Sequence, residues 1–533
     1  MIKKLGPEDL DVTIKFGGGL HTRASEDEID PREAHDGKNF LLDLENRELR
    51  NRPPFDLVGT APNGQAIRGG GSMLNADGRV SFLIQAGDTV YEWDGLSTFS
   101  AKKNVLNTAR LRGNWRSHNW QLDDKLILTD LALVEVVKEY DGTTLSDTVF
   151  TDENDVAFGT FYAKYLNISN ERAVFGNLRD PSATTNHLAV GSARGNYKQI
   201  TISNRPSSTL SEADPFFLIT PDLRPINGFV EAFGTSILST EQGQLFKLSG
   251  QSALDFAFSD FYPGSAASGE ESLAYIGNDI IFGRQGRIES VRDTERFGDA
   301  ENDDITVPVS DTTRNYTGWT TIYNSRLNRV YLFPEAVGEC WVFETSMRGG
   351  QLSPWMRWTT QHEMDFQPTF VMSMLDPVDK LEYVFMGDDQ GNLYRMEGGG
   401  SGGDGGSAGI VVEWLTNLIS SPLDSQAAGL EGYIKYRKSE AATVNLQFEY
   451  AGEWSYNEKL TIDIPEITGR PVYGGGLYYG NSEYYGTSFS GRLTRQQIFP
   501  PGQSNEFQVR ITVEGASNFE INELGLRFIA ASD

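Results

Sequence analysis

Apolar and polar positions alternate along this chain in short runs, and seven stretches share one form. The clearest is Leu381–Met396, LEYVFMGDDQGNLYRM. An apolar run Tyr383-Val384-Phe385-Met386 meets a turn Gly387-Asp388-Asp389-Gln390-Gly391, and a second run follows, Asn392-Leu393-Tyr394-Arg395. Gly and Asp tolerate the left-handed backbone angles of a tight reversal, so the stretch predicts a β-hairpin. Ser81–Gly95, Thr235–Gly250 and Asn278–Val291 repeat the form; Lys125–Gly142, Glu171–Gly191 and Asn328–Glu344 are looser copies.

The copies start near residues 81, 125, 171, 235, 279, 329 and 382. A spacing of about 45 to 65 residues is the range of four-stranded propeller blades. The fold class is therefore expected to be all-β, with a β-propeller of about seven blades over residues 61–398. A large β-sandwich is the alternative, but it has no reason to repeat an apolar strand, a Gly turn and an aromatic strand at this period.

Residues 1–60 read as an N-terminal arm. Val12, Ile14 and Phe16 alternate with polar residues, as in a half-buried strand, and Gly17-Gly18-Gly19 ends it. Ser25 with Glu28, and Asp30-Pro31 with Glu33, are helix-start signals that predict a short helix around Pro31–Asp36. Phe40–Leu44 and Glu48–Arg52 predict a hairpin, stopped by Pro53-Pro54. Within the repeats, the polar stretch Ile200–Asp214 suggests an inserted loop, and the charge run Asp299–Asp304 a solvated one. Residues 399–409 lie in a Gly/Ser-rich stretch, the expected linker between domains. Residues 410–533 carry about seven short alternating strands, among them Val444-Leu446-Phe448-Tyr450 and Phe507-Val509-Ile511-Val513, and predict a β-sandwich. Inside it, PVYGGGLYYGNSEYYGT (Pro471–Thr487) reads as a long loop. Tyr473, Tyr478, Tyr479, Tyr484 and Tyr485 there could face a partner or pack on their own domain.

With 46 Lys and Arg against 74 Asp and Glu, the net charge is −28. That balance speaks against a protein that grips nucleic acid through its phosphates. It is compatible with a wall that DNA slides past, and solubility alone also accounts for it. The single cysteine, Cys340, sits in the apolar run ECWVF and is expected to be a buried thiol. The opening MIKKLGPEDLDV has no apolar signal-peptide core, and no stretch has the composition of a membrane span, so a protein made and kept in a cytoplasm is expected.

Ingredients for catalysis are few. His21, His35, His118, His187 and His362 are scattered without metal-ligand spacing, and neither a nucleophile elbow nor a phosphate loop is present. Carboxylates are plentiful and propellers do host glycosidases, but the Asp-box turn S-x-D-x-G-x-x-W is missing. Asp152-Glu153-Asn154-Asp155 lacks the alternation of a calcium loop. Arg110, Arg112 and Arg116 with Trp115 and Trp120 could stack single strands, but inter-blade packing explains them better. No catalytic residue, metal or cofactor is predicted.

One stretch carries a recognisable pattern. Phe16-Gly17-Gly18-Gly19-Leu20-His21-Thr22-Arg23 is followed by Ser25…Ile29-Asp30-Pro31-Arg32-Glu33-Ala34, then Asn39-Phe40…Leu44, then Leu49-Arg50…Arg52-Pro53. This resembles the opening of bacteriophage virion proteins of the tail hub and nozzle type, F-x-G-G-L-N-T-R, then N-F, then L-R-x-R-P, ahead of a β-propeller. His21 stands where Asn is usual, and the third glycine is extra. The motif spans only about forty residues; the wider likeness, arm, propeller and β-domain, rests on architecture. The resemblance, to nozzle or tail tubular B proteins of short-tailed phages, implies a non-enzymatic virion protein assembled in the bacterial cytoplasm. It implies a homo-oligomeric ring of about six copies bound to a tail adaptor, with duplex DNA passing through without tight binding. On that basis Gly18, Gly19, Leu20, Thr22 and Arg23, with the tyrosines of the 471–487 loop, are candidates to face partners. The alternatives are a receptor- or glycan-binding propeller and a head-completion plug.

Overall fold

The structure is a computed structural model. It describes residues 2–4, 9–23, 29–43, 48–96, 98–103, 115–152, 154–180, 183–201, 211–241, 244–262, 267, 272–277, 279–293, 300–335, 338–348, 350, 352–359, 368–397, 410–420, 427–438, 442–450, 457–464, 494–498, 503–504, 506–514 and 519–530.

Among the described residues, seven four-stranded antiparallel sheets follow one another along the chain. They are the blades of a propeller. Their first strands are Ile67–Leu74, Trp115–Trp120, Tyr162–Ser169, Ile226–Ala232, Leu273–Ile276, Trp319–Asn324 and Phe370–Leu375. Each first strand lies against the first strands of the two neighbouring blades, and the seventh lies against the first, so the ring is closed. Each of the seven predicted hairpins supplies the second and third strands of one blade. These strands are covered on both faces by neighbouring blades. Val80–Ala86 and Thr235–Thr240 are buried at every position, hence their continuous apolar reading.

Closure of the ring moves a boundary. The fourth strand of blade 7 is Phe55–Thr60, which pairs antiparallel with Asn392–Met396. The last residues of the expected arm thus belong to the propeller, and a strand from before blade 1 completes the blade after it. Closure of this kind leaves only the short outer edge of each blade open to another chain.

The rest of the expected arm belongs to the C-terminal unit. One sheet runs Ile2–Lys4, Asp9–Ile14, Phe519–Ala530, Ala427–Lys438, Thr494–Ile498; the hairpin Phe40–Asp43/Glu48–Asn51 joins it at Phe519–Ala530. The second sheet runs Asp36–Lys38, Val412–Leu415, Glu506–Glu514, Ala442–Tyr450, Asn457–Ile464. The inward residues of both sheets, among them Ile434, Leu524, Leu526, Val444, Leu446, Val509 and Ile511, form one apolar core. The sandwich is therefore built from both ends of the chain, with the propeller inserted between them. Val12 and Ile14 alternate because they complete this core rather than form a free arm.

Two further expectations are corrected. No helix forms around Pro31–Asp36, which is a turn leading into the strand Asp36–Lys38. The Asp30 carboxylate takes the Arg32 amide and guanidinium and closes a turn, and Glu33 turns inward to the Ser353 amide, so the capping box is not completed. The run Asp299–Asp304 is not a loop: Ala300–Asp304 is the outer strand of blade 5. An outer strand has one free edge, where charge is tolerated. Of the expected insertion Ile200–Asp214, residues 202–210 lie outside the described residues; those on either side of them lie between strands three and four of blade 3, after Ala183–Gly191 and before Phe216–Ile219. The 399–409 linker, Ser25 and the tyrosine loop lie outside the described residues.

Candidate functional site at the junction of the two β units

The residues of the N-terminal motif converge where the sandwich meets the outer strand of blade 6, Trp355–Thr359. Two main-chain bonds join them there: the Gly19 amide donates to Ser353 O (2.7 Å) and the Leu20 amide to Trp355 O (2.7 Å). Glycine is needed for this approach. A Cβ on Gly19 would stand 2.0 Å from Trp355 O, whereas one on Gly17 would have 3.7 Å to its nearest neighbour. Glu33, 3% exposed, accepts from the Ser353 amide and lies 3.0 Å from His21 Nδ1.

A second knot lies four residues along the same strand, at Thr359. Asn39, in the left-handed region (φ 60°), is its hub. Its Oδ1 accepts from Arg52 Nε (2.9 Å) and the Thr359 amide (2.7 Å), and its Nδ2 donates to Thr359 Oγ1 and Val411 O (both 3.1 Å). Arg52 is fully buried. It also donates to Pro53 O (2.9 Å) and Thr359 O (2.7 Å), and its guanidinium lies 4.1 Å from the centroid of the Phe55 ring. Arg52 thus binds the end of the sandwich hairpin to two blades at once. Around the two knots, Phe16 and Phe40 meet Trp414 edge-on at 5.3 and 5.0 Å, and Trp358 Nε1 donates to Phe40 O (2.9 Å). The apolar core of the sandwich is continuous through these rings with that of blades 5 to 7.

Of the candidate partner-facing residues, Gly18, Gly19 and Leu20 are buried within the chain. Thr22 is half-buried, its amide on Pro308 O (2.8 Å) and its hydroxyl 3.1 Å from Thr312 Oγ1. Arg23 is exposed. Tyr473, Tyr478, Tyr479, Tyr484 and Tyr485 lie outside the described residues. The sequence pattern singled out these residues as candidates to face partners, and it did not indicate their contacts within the chain, Ser353, Trp355 and Thr359 of blade 6 and Trp414. They lie more than three hundred positions away, and only the paired Trp355 and Trp358 marked a strand rich in core residues.

Elsewhere the titratable groups serve packing. Trp115 and Trp120 are buried, and Trp115 fills the space above Gly69 of blade 1, as the inter-blade reading expected. His118, on the first strand of blade 2, is pushed down to about 4 by burial and then by the nearby Arg116 charge. Burial holds the Cys340 thiol well above its ordinary value. Among the described residues no three His, Cys, Asp or Glu side chains stand together as a metal would need, and no helix is long and apolar enough to cross a membrane. Asp152 Oδ1 takes the amides of Asn154 and Val156, closing a turn.

No family model matches the chain, and no curated protein matches it. Solved structures that it resembles include the WD40 domain of Toxoplasma gondii coronin, at 9% identity and TM-score 0.37, covering 68% of this chain and 86% of that one. The β-propeller domain of Myceliophteria thermophila Cps50 (Swd1) gives 10% identity and TM-score 0.30, covering 64% and 99%. An exo-beta-1,3-galactanase of Phanerochaete chrysosporium gives 12% identity and TM-score 0.23, covering 89% and 100%. Likenesses this distant say nothing of activity or partners.

Proposed function

We propose that this chain is a structural protein of a phage tail nozzle, which assembles into a ring and forms a passage for DNA, and that it has no enzymatic activity. The observation that carries the reading is the convergence of the motif. Phe16, Gly19, Leu20, Asn39, Phe40 and Arg52, which resemble the opening of nozzle-type proteins, all act at one junction. A part that is pushed and pulled by a passing duplex needs its units to move as one body. Buried hydrogen bonds and a continuous core provide that. The excess of 74 acidic over 46 basic residues fits a passage that duplex DNA leaves without adhering.

The test is the native mass of the purified protein, alone and with tail adaptor. A ring of about six copies, or a monomer that forms one on the adaptor, is expected. A monomer that ignores tail components and binds a glycan would replace the nozzle by a receptor-binding role.

A further inference from the structure

The sandwich holds a cluster of charges that neither the junction nor the proposed function uses. Strand Phe519–Ala530 is paired with Ala427–Lys438 along one edge. Its other edge is shared end to end: Asp9–Ile14 takes Leu524 to Ile529, and Glu48–Asn51 takes Glu520 and Ile521. This second seam is only two register pairs long, Glu520 with Arg50 and Ile521 with Leu49, yet it fastens the hairpin that leads directly into Arg52 and the propeller.

Glu48 and Glu520 are 1% and 3% exposed. Arg50 Nε lies 2.6 Å from Glu520 Oε1, and Arg50 also stands 3.6 Å from Glu48 Oε2. From the other side Arg437 stands 3.4 Å from Glu48 Oε1 and 3.9 Å from Glu520 Oε2. Asn522 Nδ2 donates to Glu48 Oε1. Beyond these, the neighbouring charges among the described side chains are the Lys435–Glu523 pair at 2.9 Å. Glu48 Oε2 and Glu520 Oε2 are buried and have no hydrogen-bond donor, while Arg50 and Arg437 each reach both carboxyls and so hold them side by side. Two carboxylates cannot bond to each other; a carboxyl and a carboxylate can.

We propose that Glu48 and Glu520 share one proton between Arg50 and Arg437, and that this proton clasps the N-terminal hairpin to the C-terminal strand. With the proton, the pair has the donor it lacks, and the cluster carries two positive charges against one negative. Without it, two buried carboxylates face each other at the narrowest seam of the sheet. The Glu520 carboxyl is pushed up to about 7, first by burial and then by its bond to Glu48, in keeping with this arrangement. The seam is therefore closed on the acid side of neutrality and loosens as pH rises through that range, while the rest of the sandwich stays paired.

Hydrogen exchange by mass spectrometry on the full chain tests this, with protection corrected for the intrinsic pH dependence of exchange. Peptides over Glu48–Asn51 and Glu520–Asn522 are expected to lose about tenfold or more protection between about pH 5.5 and about pH 8.5, while Val80–Ala86 in blade 1 holds steady. In Glu520→Gln, which cannot ionise and keeps a donor, the seam should stay protected at both pH values. Should that variant fail to fold, Glu48→Gln makes the same comparison. A seam that follows the blade 1 reference in the wild-type protein overturns the clasp, as does a pH slope that survives in the glutamine variant.

Discussion

Alanine at Gly17, Gly18 and Gly19 gives three identical chemical changes with three different consequences. A Cβ at Gly19 would stand 2.0 Å from Trp355 O and 2.8 Å from both its carbonyl carbon and its amide nitrogen. Those are main-chain atoms of a strand held in blade 6, so neither side can yield by a rotamer change. The segment must lift, and the Gly19–Ser353 and Leu20–Trp355 bonds go with it. Overpacking costs about 1–3 kcal/mol and each lost main-chain bond about 1 kcal/mol, so Gly19→Ala should cost about 3–5 kcal/mol. At Gly18 the obstacle is Glu33 Cγ at 2.5 Å, part of a side chain that can shift at the expense of its bond to Ser353, and about 1–3 kcal/mol is expected. At Gly17 nothing lies closer than 3.7 Å, and the change should fall within about 0.5 kcal/mol or slightly stabilise by restricting the unfolded chain. Urea unfolding followed by tryptophan fluorescence, with Trp355 at the contact itself, gives the order of midpoints. Equal midpoints for Gly17→Ala and Gly19→Ala would refute the close approach of the motif to blade 6.

Arg52→Met keeps the length of the side chain but strands Asn39 Oδ1 and Thr359 O without the guanidinium; a loss of about 3 kcal/mol is expected in the same unfolding assay. His118 is depressed on folding to about 4, so between that value and about 6.5 the unfolded chain binds a proton that the folded chain refuses. Its contribution therefore makes stability rise with pH across that window, and His118→Phe should flatten the acid limb of a stability–pH profile by on the order of 2 kcal/mol. Glu520 acts in the opposite sense, since a folded value raised to about 7 makes its contribution fall as pH rises from about 4.5; Glu520→Gln should steepen the net rise that His118 produces. Duplex DNA should bind the purified protein only weakly at moderate salt in a filter or anisotropy assay; tight binding that weakens steeply with added salt would contradict a passive passage.

Blade count and blade position were legible because the second and third strands of each blade are sandwiched between neighbours. Val80–Ala86, Thr235–Thr240 and Arg329–Pro334 can hold few exposed side chains, so they read as unbroken apolar runs closed by a turn. First and fourth strands escaped notice for the converse reason. Ile67–Leu74 carries three consecutive glycines because its neighbours Trp115, Phe370 and Ser117 press against it, and Ala257–Tyr262 has one side in solvent, so neither shows a clean period. The helix signals at Asp30 and Glu33 misled because Asp30 closes only a local turn on the Arg32 amide, while Glu33 bonds the distant Ser353 amide. The role of the first sixty residues was hidden more deeply. Alternation at Val12 and Ile14 shows that one face is covered, but nothing local states that their neighbours in the sheet are Leu526 and Leu524, more than five hundred positions on. The motif residues were recognisable as a pattern, yet their burial in a junction depends on Ser353, Trp355 and Trp414, which no short window contains.

That topology constrains how the chain reaches its fold. Strand Asp9–Ile14 is made about five hundred residues before its partner Phe519–Ala530. Strand Phe55–Thr60 must likewise wait for Asn392–Met396 before blade 7 is complete. Blades 1 to 6 pair only within themselves and can form in order. Loop closure grows slowly in cost with length, so the long separations are affordable once the ends are positioned, but the waiting strands stay unpaired in the meantime. The propeller itself shortens the wait: when blade 7 closes on Phe55–Thr60, it brings Arg52 to Thr359 and sets Gly19 and Asn39 beside blade 6. The N-terminal strands are then held near the place where the C-terminal strands must join. The junction is in this way a folding device. Variants that weaken it, Gly19→Ala and Arg52→Met, should slow the final pairing of Asp9–Ile14 in refolding followed by pulsed hydrogen exchange, while protection of the blade strands appears at the wild-type rate. Equal rates for both steps would show that the sandwich finds its ends without the propeller's help.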